Sequence, residues 1–234
     1  MRRLAALLLV PVLLVASPSS AADALVTRRF PASGFAQVEL RGSDNVVIRV
    51  GPAFSVVATG PAVSLKTLTA EVRGDTLRLD HRGNSWTWHK TPPTTITVTM
   101  PALAGVSLSG SGNMAVGPFR APRFSGAVEG SGNLRLARIE AGQVALSIAG
   151  SGDLVAAGQA GAAKLSIAGS GSLDAGALGV RTLATSTAGS GDMIARAAGT
   201  ASVSMAGSGG VTVRGPARCT VSKVGSGDVR CNAA

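Results

Sequence analysis

One column of residues in this chain has the types that bind a hard cation. Asn113, Asn133, Asp153, Ser172, Asp192, Gly210 and Asp228 each stand immediately after a Gly-Ser-Gly triplet. Side-chain oxygens repeated beside glycine-rich bends are the raw material of a calcium site. The spacing works against that chemistry. If each triplet marks one turn of a stack of strands, successive turns lie about 4.8 Å apart. No two aspartates fall on consecutive turns, so successive carboxylates would stand about 9.6 Å apart, too wide for one cation with ligand bonds near 2.4 Å. Asn, Asp, Ser and Gly also close tight turns through bonds to the local backbone, and the column is read that way. No metal and no other cofactor is expected.

Three further groups carry candidate chemistry. Cys219 and Cys231 lie six residues before and six after Gly225, which opens the last triplet. Their positions are inward slots on the two strands that flank one bend. In an exported protein such a pair is read as a disulfide that staples the last turn. His81 and His89 are the two histidines and flank Trp86 and Trp88 in a polar stretch that ends at Pro92-Pro93. Zinc would need cysteine or acidic ligands nearby. The indoles are read first as a lid over the end of the stack, with a sugar- or partner-binding surface as the alternative. Arg73-Gly74-Asp75 spells an integrin-binding tripeptide, but Gly-Asp is also what a hairpin turn between two strands requires.

The elements that position these residues follow from the repeat. Gly-Ser-Gly begins at Gly110, Gly130, Gly150, Gly169, Gly189, Gly207 and Gly225, at intervals of 20, 20, 19, 20, 18 and 18 residues. A fixed period of this length signals a solenoid. Around each triplet apolar and small polar residues alternate, as in Leu146-Ser147-Ile148-Ala149, which is the period of a strand with one face buried. Aligned on the triplets, Leu108, Val128, Ile148, Ile167, Thr187, Met205 and Lys223 form one inner column. Met114, Leu134, Leu154, Leu173, Met193, Val211 and Val229 form a second. The expected fold is all-β, a parallel β-solenoid with 18–20-residue turns, seven of which would make a rod about 34 Å long. The composition agrees: the seven triplets place 14 of the 31 glycines at the bends, and aromatics at 3% leave each layer to be filled by aliphatic side chains.

Outward positions form a different pair of columns. Ser107, Ala127, Ser147, Ser166, Ser186, Ser204 and Ser222 make one; Ser109, Glu129, Ala149, Ala168, Ala188, Ala206 and Val224 make the other. A merely solvated face carries Lys, Glu and Asp. A strip of small uncharged side chains centred on Ala149, Ala168, Ala188 and Ala206 is therefore read as an interaction surface, with a bland tolerated surface as the alternative.

The chain divides into three parts. Residues 1–22, with Arg2-Arg3, the apolar run Leu4 to Ala16 and small residues to Ala22, have the pattern of a cleaved signal peptide. Residues 23–100 are strand-rich but irregular and are read as an N-terminal cap, with Gly42-Ser43-Asp44-Asn45-Val46 as a degenerate copy of the repeat. Residues 101–234 are the regular solenoid, continuous with the cap. The net charge of +10 is dispersed, without a basic run or interleaved aromatics, so nucleic acid is not an expected partner. No later apolar run is long enough for a membrane span. Loose attraction to an anionic polysaccharide or a membrane surface is what the charge supports.

Gly110 to Met114, Gly130 to Leu134, Gly150 to Leu154, Gly189 to Met193 and Gly225 to Val229 share one pattern, Gly-Ser-Gly-Asn/Asp-apolar. With a strand-rich segment behind a signal peptide, the pattern resembles the auto-transporter adhesin head domain family, known as GIN domains, over roughly residues 30 to 230. The resemblance implies a secreted or envelope-associated β-solenoid without an established activity. The reading is an exported, non-catalytic module that binds an envelope protein or polysaccharide or a second copy of itself, in the periplasm or at the cell surface. A carbohydrate-active β-helix enzyme and a periplasmic structural or stress-response protein are the alternatives.

Overall fold

The computed structural model describes residues 25–82 and 93–232. The signal segment 1–22 and the pair Trp86 and Trp88 lie outside the described residues.

The repeats form a parallel β-solenoid. Strand β8 (Gly105–Gly110) and β9 (Asn113–Val116) open the regular stack, followed by β10 (Phe119–Gly130), β11 (Asn133–Gly150), β12 (Asp153–Gly169), β13 (Ser172–Gly189) and β14 (Asp192–Gly207). Strands β15 (Gly210–Arg214), β16 (Arg218–Val224) and β17 (Asp228–Asn232) complete it. Equivalent residues pair turn on turn, so that Leu134 faces Leu154 and Ile148 faces Ile167. Within β11 the buried positions are Leu134, Leu136, Ile139, Val144, Leu146 and Ile148, and consecutive exposed residues at 137–138 and 142–143 shift the alternation. Each turn therefore has three sides, with corners there and at Gly-Ser-Gly. Six members of each inner column are buried, and the seventh, Lys223 or Val229, which belongs to the last turn among the described residues, is not. The seven triplets lie in a solenoid of about six turns.

Both glycines of a triplet are needed, for different reasons. Gly130 has φ +116°, a conformation that L side chains rarely adopt, and a Cβ there would stand 2.6 Å from the Gly110 carbonyl oxygen. A Cβ on Gly132 would stand 2.6 Å from the Gly112 carbonyl oxygen and 2.7 Å from Leu108 Cδ2. The bends thus stack backbone on backbone, and the Ser131 N–H donates to the Gly110 carbonyl at 3.0 Å.

Residues before the regular turns close one end. Strands β2 (Gln37–Gly42) and β3 (Asn45–Val50) form a first turn in register with β8 and β9, pairing Gly42 with Gly110 and Asn45 with Asn113. Strands β6 (Thr76–His81) and β7 (Thr95–Met100) lie parallel beneath them. The outermost strands reverse direction: β5 (Leu68–Arg73) pairs antiparallel with β6, β4 (Ser55–Pro61) with β7, and β1 (Leu25–Phe30) with β4. Helix α1 (Ala62–Thr67) joins β4 to β5 and buries Leu65, and Leu68 just beyond it is buried too. The hairpin turn at Gly74-Asp75 is the β5–β6 pair, whereas the antiparallel pairing of β4 with β7 and β1 and the helix were not visible in the alternation. They give the stack an end at which parallel addition stops.

Candidate functional site

The strip centred on the alanines exists as a row of neighbours. Glu129, Ala149, Ala168, Ala188, Ala206 and Val224 pair in sequence from turn to turn, and so do Ala127, Ser147, Ser166, Ser186, Ser204 and Ser222. Ala149, Ala168, Ala188 and Ala206 are all exposed. The strip begins against a carboxylate, where the Ser109 hydroxyl donates to Glu129 Oε2 at 3.2 Å. It ends on Val224, which is 73% exposed. A mostly apolar hollow of about 550 Å³ runs beside it, floored by Phe124, Val144 and Ala163 and flanked by Lys164.

The Asn/Asp column behaves differently from the local turn bonding expected of it. Asn133 Nδ2 donates to Asn113 Oδ1, and Asn113 Nδ2 to Asn45 Oδ1, each at 2.8 Å. Asp192 Oδ1 accepts from the Gly210 N–H of the next turn at 2.8 Å. These side chains tie one turn to the next because identical positions face each other directly. Among the described residues no group of three or more His, Cys, Asp or Glu side chains is placed to hold a metal.

At the open end Cys219 and Cys231 are joined by a disulfide, with Cα atoms 6.5 Å apart. Both occupy inward slots, facing buried Ala201 and Val213 of the turn below, yet Cys231, in the last turn among the described residues, is exposed. Lys223 Nζ reaches back to the Gly227 carbonyl at 2.7 Å and closes the same end.

The Arg73-Gly74-Asp75 tripeptide is the β5–β6 turn. Asp75 is engaged: its carboxylate accepts from Gln37 Nε2 at 3.0 Å, and its carbonyl accepts from the Ala36 and Gln37 N–H groups.

Two arrangements escaped the sequence. The first is in the cap. Asp44 stands where the regular turns have the second glycine of the triplet, and its side chain enters the end of the stack, 3% exposed. Oδ1 accepts from the Thr94 N–H at 2.8 Å and Oδ2 lies 2.6 Å from His81 Nε2. His81 Nδ1 lies 2.8 Å from Thr67 Oγ1, which donates to the Ser64 carbonyl at 3.1 Å. With the hydroxyl proton directed to that carbonyl, Nδ1 donates to Thr67 and Nε2 to Asp44, the pattern that a protonated ring can make. The hydrogen bond to Asp44 raises the His81 pKa accordingly, against the opposing effect of burial. Asp44, His81 and Thr67 thus clasp strand β6 and helix α1 to the first turn.

The second is a groove along the middle side of the turns, made of adjoining hollows of about 420, 540 and 820 Å³. Ala141, Ala160, Val180 and Ala197 floor it, and Arg120, Arg138, Glu140, Gln159, Arg181 and Arg196 edge it. Glu140 is held between Arg120 Nε at 2.6 Å and Arg138 Nη2 at 3.2 Å. The Arg120 hydrogen bond comes first in keeping its carboxyl below the usual range.

A capped parallel solenoid with in-register surface columns defines a class: a rigid repeat scaffold whose sides present surfaces. The chain belongs to the family described as "Putative auto-transporter adhesin, head GIN domain", which matches residues 34–217. Among solved structures, an adhesin described as putative from Bacteroides fragilis superposes with a TM-score of 0.82 at 22% identity, covering 89% of this chain and 97% of that one. A protein from Parabacteroides distasonis described as a putative lipid binding protein gives 0.72 at 20% identity, covering 89% and 97%. A putative adhesin from Parabacteroides merdae gives 0.69 at 16% identity, covering 89% and 96%. At these identities the likeness is one of fold. A comparison with curated proteins finds no match.

Proposed function

We propose that this chain is an exported, non-catalytic, adhesin-like module that docks on an envelope component through the strip of small side chains. The observation that carries this reading is the in-register exposure of Ala149, Ala168, Ala188 and Ala206 beside the serine column. Uncharged side chains of nearly constant size let a partner approach the sheet closely at every turn, with little side-chain entropy to lose. The family supports an adhesin-like role, and no helix among the described residues is long and apolar enough to cross a membrane. The non-catalytic reading draws support from the glutamates: Glu39, Glu71 and Glu140 are each paired with two arginines, which suits structure better than proton transfer.

The test is binding of the purified chain to isolated bacterial envelopes, before and after the double substitution Ala168→Glu/Ala188→Glu. Both positions are exposed, so the fold is kept and the melting temperature serves as control. Binding should fall at least about tenfold, since two desolvated carboxylates have no partner. Undiminished binding would remove the strip from the account.

A further inference from the structure

The groove on the middle side is not explained by the strip, which lies on another side of the turns. Its hollows share their lining: Arg138 and Glu140 belong to the first two, and Gln159, Ala160 and Gly161 to the second and third. The result is one channel from Pro118 to Pro216, six turns at five spacings, or about 24 Å. It is concave because Gly142, Gly161 and Gly199 stand at the corner, where a Cβ would stand 2.7–2.8 Å from the carbonyl oxygen of the turn below.

Its charge is one-sided. Four arginines edge it against one carboxylate, and that carboxylate is already engaged by Arg120 and Arg138. Arg181 and Arg196 are exposed, border the largest hollow, and take part in no ion pair among the described residues. A guanidinium is a planar fork matched to a carboxylate, and two of them at the edge of a long open channel ask for acidic groups repeated along a chain. No aromatic residue lines the largest hollow, which disfavours the stacked bases of a single-stranded nucleic acid.

We propose that this groove binds a linear anionic polysaccharide of the polyuronate kind, laid along the solenoid axis, with its carboxylates on Arg181 and Arg196 and its sugar rings over the half-buried Ala141 and Ala160. The proposal rests on the reading of the chain as a binding module and names a ligand class for it. Glu140 then acts as an internal competitor that occupies Arg120 and Arg138 at one end of the channel.

The experiment is equilibrium binding of the chain to polygalacturonate, with neutral dextran and oligodeoxythymidylate as the comparison polymers. Polygalacturonate should bind and dextran should not. Arg181→Gln/Arg196→Gln should weaken binding about tenfold or more, while Glu140→Gln should strengthen it by releasing two guanidinium groups. Lys164→Gln, on the neighbouring side, should leave affinity within about twofold. All these positions are surface side chains, and matching melting temperatures confirm the fold. The proposal is overturned by absence of polygalacturonate binding, by an equal loss in the Lys164 variant, by unchanged affinity in the double variant, or by tighter binding of the oligonucleotide. Envelope binding measured on the same preparations separates the two readings: if it persists without polygalacturonate binding, the ligand class fails and the binding module stands.

Discussion

His81 and Asp44, thirty-seven positions apart, meet at 2.6 Å in the cap, where the carboxylate replaces the second glycine of the bend. In the regular turns that position has no room for any side chain, as the contacts of a Cβ on Gly132 show. The first turn escapes this limit because the chain beneath it enters at Thr94 instead of forming a Gly-Ser-Gly bend, and Thr94 supplies a backbone donor. One pair therefore locks the hairpin β5–β6 to the start of the stack.

The clasp makes stability depend on pH in a defined direction. The His81 pKa is raised above 6.5, so the native state holds the proton more tightly than the unfolded chain. Its contribution is complete below about pH 6.5 and is lost as pH rises through the raised native value. Urea midpoints measured from pH 5 to 9 should fall on the alkaline side. In His81→Gln that part of the dependence should vanish. An equal alkaline fall in both proteins would remove the clasp as its cause.

Thr187 is a defect in the inner column. It is 1% exposed, lies between Ile167 and Met205, and its hydroxyl has no hydrogen-bond partner. Thr187→Val keeps the shape and removes the desolvated hydroxyl, so stability should rise by about 1–2 kcal/mol in chemical denaturation. A loss would show that the hydroxyl is satisfied in solution.

Gly132 tests the close stacking of bends. Its backbone is ordinary, so the objection to a side chain is space alone. Gly132→Ala should cost about 1–3 kcal/mol through displacement of Leu108 and of the Gly112 bend in the turn below. A neutral effect would mean that the turns separate more easily than the contacts imply.

The disulfide should act locally. Solenoid turns contact only their neighbours, so removing Cys219–Cys231 by double Ser substitution should loosen the last turn first. Hydrogen exchange should quicken over residues 218–232 and stay unchanged around Leu134 and Leu154. Exchange rising uniformly along the stack would contradict a local staple.

The inner columns could be read from the chain because every turn reaches Gly-Ser-Gly at the same offset from Leu146 or Ile148 and their equivalents. The groove could not. Arg120, Glu140, Gln159, Gly179 and Arg196 pair in one column, but their offsets from the preceding triplet differ. Register shifts fall between Leu136 and Ile139, Val155 and Ala157, and Ala175 and Gly179, so the side that varies in length is the side that carries the arginines. The clasp was hidden for another reason. Asp44 looks like a decayed glycine, and His81 is aligned with it only once β6 is known to lie beneath β2.

The most direct measurement for the central claim is saturable binding of the chain to isolated envelopes, with the chain lengths of envelope glycans analysed before and after. Binding without any change in glycan length is the predicted result. Release of shortened glycans by the chain, catalytic in amount, would contradict it.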